Sequence, residues 1–411
     1  MDAKRFYPRE LADCWRAASE QFPVILLTGP RQVGKTTLLR ALAGDDRRYV
    51  TLDDPAVRIL ARSDPALFLQ RFEPPVLIDE IQYATELLPL IKIAVDQRRD
   101  SGAFWLTGSR PFHLMQQVSE SLAGRVAILS LLGFSSRERR RLEFNPTPFF
   151  PTAKVLEQRE ASAPAVTLKR LYADIWTGSL PALVTGQVRD RDLFYSSYMQ
   201  TYLQRDVKDL AQVGDEAAFI RFLKACAART GQMLNLTDLA RDSDVSVNTA
   251  KSWLSILQAS FQVLLLSPFH TNVTKRLVKT PKLYFLDTGM CAYLTDWSTP
   301  ETLEAGAMSG AVLETYVVVE VLKSWWNRGK QPPVHYYRDK DGREIDLLIR
   351  RDGEIYAVEV KKSATPRREW TRSFSVLDRL APQWREGGVV CLCRQRLPLD
   401  DRVSAIPVGL L

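Results

Sequence analysis

The chain is 411 residues long, 45% hydrophobic and 25% charged, with a formal net charge of +8. That is enough for roughly two to four domains with cores of their own, and it excludes a disordered polymer. Five scattered cysteines (Cys14, Cys226, Cys291, Cys391 and Cys393) with no C-x-x-C spacing argue against a disulfide framework or zinc site and predict a reducing, cytoplasmic setting. The N-terminal stretch MDAKRFYPRELADCW lacks the apolar core of a signal peptide. No apolar run approaches the ~20 residues that cross a bilayer, so no membrane partner is expected. The positive balance, with basic runs at Arg137–Arg141 and at 366–369, favours an anionic partner, nucleic acid first; each run alone also reads as a solvated helix face.

The first predicted strand, from Val24, opens VILLTGPRQVGKTTLLRAL, a strand, a glycine-containing loop and a helical pattern from Lys35. This is G-x-x-x-x-G-K-T in the context that the phosphate loop requires. Gly29 and Gly34 let the backbone wrap phosphates, and Pro30, Arg31, Gln32, Val33 and Thr37 complete the loop, whose non-proline N–H groups and helix start supply positive potential. Lys35 reaches for the β and γ phosphates of ATP, and Thr36 offers its hydroxyl to Mg²⁺. A second strand in PPVLIDEIQYATELL (74–88) ends in two adjacent carboxylates. Asp79 is expected to hold the metal, and Glu80 to orient or deprotonate the attacking water. A third, AFWLTGSR (103–110), ends in hydroxyls, so Thr107 or Ser109 can sense the γ-phosphate. Further strands at 48–54 and 125–131 complete a parallel sheet covered by helices on both faces.

The segments LTGPRQVGKTTLL, VLIDEIQ, LTGSRPF and SLAGRVAILSL resemble the prokaryotic AAA_14 family of AAA-type ATPases, in which a C-terminal domain of unknown function usually follows the ATPase. The resemblance covers nearly the whole chain and implies ATP binding and hydrolysis. It also makes Arg125 a candidate phosphate-contacting arginine, or else a surface arginine before a strand.

The proline-rich stretch 143–165 reads as a connector, and 168–210 as a helical linking bundle. The predicted organisation is an ATPase domain at 1–145, a linker and helical segment at 146–215, a winged helix at 216–300 and a last domain at 301–411. In the third part a short helix from Thr237, a turn near 243–245 and a longer helix from Ser246 suggest helix-turn-helix, and 261–287 reads as two strands around a basic loop. Ser246, Asn248, Thr249 and Lys251 would then face DNA from the recognition helix, with Lys275, Arg276 and Lys279 in the wing. The same fold also serves as a packing or protein-interaction module.

The last part carries YYRDKDGREIDLLIRRDGEIYAVEVKKS (336–363). Asp352-Gly353 makes a two-residue hairpin turn, which pairs 351 with 354 and sets Asp346 opposite Glu359. Strand alternation puts Lys361 on the face of Glu359. Two carboxylates and a lysine on one patch can hold Mg²⁺ and activate water against a phosphodiester, with Glu314 on the preceding helix completing the metal shell; a surface ion pair across the hairpin is the plainer reading. The order Glu314, Asp346, Glu359, Lys361 resembles the PD-(D/E)XK nuclease superfamily, with Ile345 where a proline is usual. The predicted whole is a P-loop ATPase with a helical linker, a winged helix and an α/β PD-(D/E)XK nuclease-like domain, acting on branched or broken DNA and able to form a homo-oligomer. An ATP-gated regulatory or defence switch with a silent nuclease-like domain, and a DNA-binding assembly factor, are the alternatives.

Overall fold

The structure, a computed structural model, describes residues 7–98, 100–108, 111–144, 147–163, 165–202, 215–269, 280–339, 341–380 and 383–411. The chain divides into two compact units. The first is 1–134 with 259–261 and 326–330; the second is the remainder from Ser135. The division therefore falls after Phe134, short of the expected 145.

In the first unit, β1 (Val24–Thr28), β2 (Arg48–Thr51), β3 (Val76–Asp79), β4 (Phe104–Thr107) and β5 (Val126–Ser130) form a wholly parallel sheet of order β2-β3-β4-β1-β5. The strands β1, β3 and β4 are buried along their whole length, the condition under which a strand reads as a continuous apolar run. Val24, Leu26, Ile78, Phe104 and Leu106 pack with Leu87, Leu88 and Ile91 of the helix Leu87–Arg98 in one core. Truncating one such leucine to alanine costs about 2–5 kcal/mol, so the platform carrying the loops is rigid.

The second unit contains two sheets. Helix Glu216–Ala227, β6 (Gln232–Met233), helices Leu236–Ser243 and Val247–Ala259, then β7 (Val263–Leu266) and β8 (Lys282–Phe285) follow one another, with strand order β6-β8-β7. Next come helix Ser309–Trp326 and a six-stranded sheet of β9 (Val334–Arg338), β10 (Glu344–Arg351), β11 (Glu354–Val360), β12 (Trp384–Cys391), β13 (Leu397–Pro398) and β14 (Val403–Pro407). Its order is β13-β14-β12-β11-β10-β9. The first three strands are antiparallel, and β12 runs parallel to β11. The two sheets meet where Pro268, just past β7, bridges Tyr336 of β9; the Phe269 N–H donates to the Tyr336 carbonyl at 2.6 Å.

Two sequence expectations change here. The described part of 143–165 (143–144, 147–163 and 165) is packed rather than free. It holds a helix Ala153–Glu160, Phe150 packs edge-on to Trp325 and Tyr356, and Arg159 donates to the Leu410 carbonyl at 3.0 Å. The basic run Arg137–Arg141 is largely interior rather than a nucleic-acid or solvated face. Arg137 is buried, and Arg139 pairs with buried Asp174 at 2.9 Å, with Arg140 alongside at 3.7 Å. No helix among the described residues is long and apolar enough to cross a membrane.

Candidate nucleotide site and candidate acidic site

The loop after β1 turns through Gly29 (φ 142°) and Gln32 (φ 60°), and Gly34 (φ 90°) caps the helix Lys35–Leu42. A Cβ on Gly29 would stand 2.0 Å from the Leu131 carbonyl oxygen, so only glycine fits this close backbone approach. Lys35 is buried, and its ammonium donates to the Gly29 carbonyl at 3.0 Å and the Pro30 carbonyl at 2.8 Å. The charge thus lies folded onto the cradle that would receive phosphates.

β3 delivers Asp79 to the end of the same sheet. Its Oδ1 accepts hydrogen bonds from the hydroxyls of Thr36, at 2.8 Å, and Thr107. Its Oδ2 accepts from Tyr49 at 3.1 Å. Burial pushes the Asp79 carboxyl above its ordinary range, opposed by the hydrogen bonds from Thr107 and Thr36. Glu80 then takes a left-handed conformation (φ 60°, ψ 46°), which breaks the strand and separates the two carboxylates. Asp79 is buried, whereas Glu80 remains partly open beside the Gln82 amide. Its N–H donates to Thr107 Oγ1 at 3.1 Å. A left-handed glutamate is a strained arrangement of the kind that clusters at functional sites. The residues fit Mg-ATP: a glycine cradle, a lysine in it, and Thr36 with Asp79 as adjoining oxygen donors.

Tyr49 is not evident as a site residue in the sequence, although strand β2 is. Its hydroxyl is pushed up to about 12 by burial and by Asp79, and Arg40 lies over its ring at 4.9 Å. Ser109 lies outside the described residues. Arg125 is not brought to the phosphate loop. It immediately precedes β5, at the end of the sheet opposite that loop, and its guanidinium holds both oxygens of Asp96, at 2.5 and 3.0 Å.

In the second unit the hairpin has the expected register. Asp352 (φ 52°) and Gly353 (φ 82°) form the turn, and Arg351 pairs with Glu354 through to Leu347 with Val358. One step on, Asp346 Oδ2 accepts the Val360 N–H at 2.8 Å. Glu359 Oε1 accepts from Lys361 at 2.6 Å, while Oε2 is buried with no hydrogen-bond partner among the described residues. Burial, then Glu314 and Glu359, push the Asp346 carboxyl well up. Burial also raises Glu359, against the pull of Lys361.

No sequence pattern points to Lys282. This β8 lysine, 2% exposed, donates to Glu314 Oε1 at 2.9 Å, pairs closely with Glu344 and stands 3.8 Å from Asp346 Oδ1. The Tyr284 hydroxyl, two residues on, donates to the same Glu314 oxygen at 2.6 Å. Burial works against the Lys282 charge, but Glu314, Asp346 and Glu344 outweigh it and hold the ammonium above the usual lysine range. The predicted members Glu314, Asp346, Glu359 and Lys361 do lie in one region. As packed, however, no group of three or more acidic, histidine or cysteine side chains among the described residues is arranged to hold a metal ion.

Between the helices Leu236–Ser243 and Val247–Ala259, Asp244 (φ 57°) makes the turn. The Ser246 hydroxyl accepts the Thr249 N–H at 3.0 Å and lies 2.8 Å from its Oγ1, so Ser246 caps the helix start. Asn248 and Lys251 are exposed, opposite the buried Ala250, Trp253, Leu254 and Leu257. Lys275, Arg276 and Lys279 lie outside the described residues.

Comparison with known proteins matches three family profiles: an AAA domain over residues 21–139, and domains of unknown function DUF8612 over 168–301 and DUF4143 over 309–411. Among solved structures, the Walker-type ATPase PABY2304 of Pyrococcus abyssi is similar at 16% identity and TM-score 0.46, over 71% of this chain and 97% of that one. A RuvB variant of Thermotoga maritima is similar at 18% identity and TM-score 0.31, over 62% and 87%. Two uncharacterized proteins, Rv2008c of Mycobacterium tuberculosis and Mb2031c of Mycobacterium bovis, are each 30% identical over 401 residues, covering 97% of this chain and 83% of theirs. The chain belongs to the same family as these mycobacterial proteins, with an AAA domain at its N-terminal end and a DUF4143 domain at its C-terminal end.

Proposed function

We propose that this protein binds and hydrolyses Mg-ATP in its AAA domain and uses the nucleotide cycle to govern DNA handling by the rest of the chain. The ATP reading rests on the convergence of Gly29, Lys35, Thr36, Asp79, Thr107 and Glu80 at one end of a parallel sheet. Mg²⁺, when bound, would supply charge neutralisation at the phosphates. Thr36 and Asp79 would hold it, Lys35 would meet the β and γ oxygens, and Glu80 would orient water from its less buried position. Thr107, already bonded to both Asp79 and the Glu80 N–H, is suited to register the γ-phosphate.

The DNA reading is supported by two arrangements. Helix, strand, two helices and two strands, with the last strand central in the small sheet, follow the order expected for a winged helix. A helix, an antiparallel three-stranded meander and a return to a parallel strand carry Asp346 and the Glu359-x-Lys361 pair on neighbouring strands, as the PD-(D/E)XK pattern requires. The test is incubation of purified protein with linear, single-stranded and branched DNA, with and without ATP and Mg²⁺. Nucleotide-dependent binding or cleavage supports the reading; ATP turnover indifferent to every DNA, with no binding, removes it.

One observation favours the switch alternative for the last domain. Lys282 is paired with acidic side chains that would otherwise be open to metal. A nuclease-like site so arranged suits a gated or binding role better than free-running cleavage.

A further inference from the structure

We propose that Lys282 is a built-in cation of the nuclease-like site, occupying the position where a divalent metal would be held and keeping the site from loading one while β8 is in place. The inference rests on the nuclease-like reading of the last domain and adds a regulatory residue from a different sheet.

The placement follows from strand geometry. In β8 Lys282 pairs with Met233 of β6 and Leu266 of β7. The strand is buried at all four positions, so the lysine has no solvent to turn to. Alternation puts Lys282 and Tyr284 on one face, and both end on Glu314 Oε1. The bridge between Pro268 and Tyr336 fixes the small sheet against β9, and Tyr336 anchors the start of β8 by bonding the Thr280 carbonyl. The ammonium lies 5.7 Å from the centre of the Tyr336 ring.

The chemistry of the donors agrees. Glu314, Glu344 and Asp346 surround one ammonium, an arrangement that would be repulsive without a cation between them. Arg338 also reaches Glu344, at 3.0 Å, and Lys361 covers Glu359 Oε1, while Glu359 Oε2 is buried with no hydrogen-bond partner among the described residues. Oxygens that accept from an ammonium are not free to coordinate Mg²⁺, whose octahedral geometry tolerates little distortion. Displacing Lys282 would remove the ammonium held between Glu314, Glu344 and Asp346 and leave their negative charge to a divalent cation. Movement of the small sheet would thus couple directly to metal loading.

The experiment is Mn²⁺ binding to the full chain without nucleotide, followed by calorimetry and by the spin resonance of free Mn²⁺, for wild type, Lys282→Met, Lys282→Arg and Lys282→Met/Glu359→Gln. Lys282→Met is expected to gain one saturable site at least ~10-fold tighter than any in wild type, because a competing charge has been removed. Lys282→Arg should behave as wild type, and the double variant should lose the gained site. Mn²⁺ should also raise the melting temperature of Lys282→Met and leave wild type unchanged, as expected of a ligand bound only by the folded form. Equal Mn²⁺ binding by wild type and Lys282→Met overturns the proposal, as does a gained site that survives Glu359→Gln. If Lys282→Met does not fold, Lys282→Gln carries the comparison. Failure of both to fold with or without Mn²⁺ assigns Lys282 a purely structural role and likewise overturns it. Cleavage is not read, so a catalytically silent domain leaves the outcome decisive.

Discussion

The Tyr49 hydroxyl, on the strand beside β3, donates to Oδ2 of Asp79 at 3.1 Å, on the side of the carboxylate away from Thr36 and Thr107. This bond orients the acid expected to hold Mg²⁺. Tyr49→Phe removes one neutral-to-charged hydrogen bond, worth about 1.5–3 kcal/mol at most. Mg-ATP affinity should fall roughly 5- to 30-fold by fluorescence titration, with little change for ATP in excess EDTA. An equal loss with and without Mg²⁺ would place Tyr49 outside the metal's influence.

Gly29 leaves no space for a side chain against the Leu131 carbonyl. Gly29→Ala should therefore open the loop between β1 and the helix Lys35–Leu42 and abolish measurable nucleotide binding. Gly44, also at positive φ (66°) but with nothing within 4 Å of where a Cβ would stand, is the control. Its alanine variant should retain binding and lose only about 1 kcal/mol of stability.

Asp174 gathers Arg139 and Arg140 in the interior, with 5% of its own side chain exposed. Asp174→Ala strands buried guanidinium groups and should cost about 3–5 kcal/mol in chemical denaturation. Arg139→Ala should leave the salt dependence of any DNA binding unchanged, because this arginine faces Asp174 rather than solvent.

Asn248 and Lys251 are exposed polar residues near the start of the helix Val247–Ala259. If that surface meets DNA, Lys251→Ala should weaken binding to all sequences and reduce the slope of log affinity against log salt by about 1. An unchanged slope would assign the helix to packing or protein contact.

The local patterns were legible and the convergences were not. The three central strands β1, β3 and β4 could be read from apolar runs ending in glycine, hydroxyl or acid, because strands covered on both faces need that composition. The hairpin register followed from Asp352-Gly353 alone, since a two-residue turn fixes every pair after it. Lys282 could not be read this way. It lies 64 positions before Asp346 in sequence and meets it only because one sheet is stitched to another at Tyr336. Tyr49 likewise acquires its role from the strand next to it. The run Arg137–Arg141 misled because charge in a sequence suggests solvent, whereas Asp174, far enough away to escape notice, compensates it in the interior.

The most direct measurement is single-turnover ATP hydrolysis by wild type, Lys35→Ala and Glu80→Gln, with bound nucleotide quantified in parallel. The cradle reading predicts that Lys35→Ala fails to hold ATP productively. Glu80→Gln should bind ATP as wild type does, yet cleave it about 10²- to 10⁴-fold more slowly, the range expected when a positioned base is removed. Wild-type hydrolysis by Glu80→Gln would contradict the assignment of Glu80 and, with it, the account of why two carboxylates stand together at the end of β3.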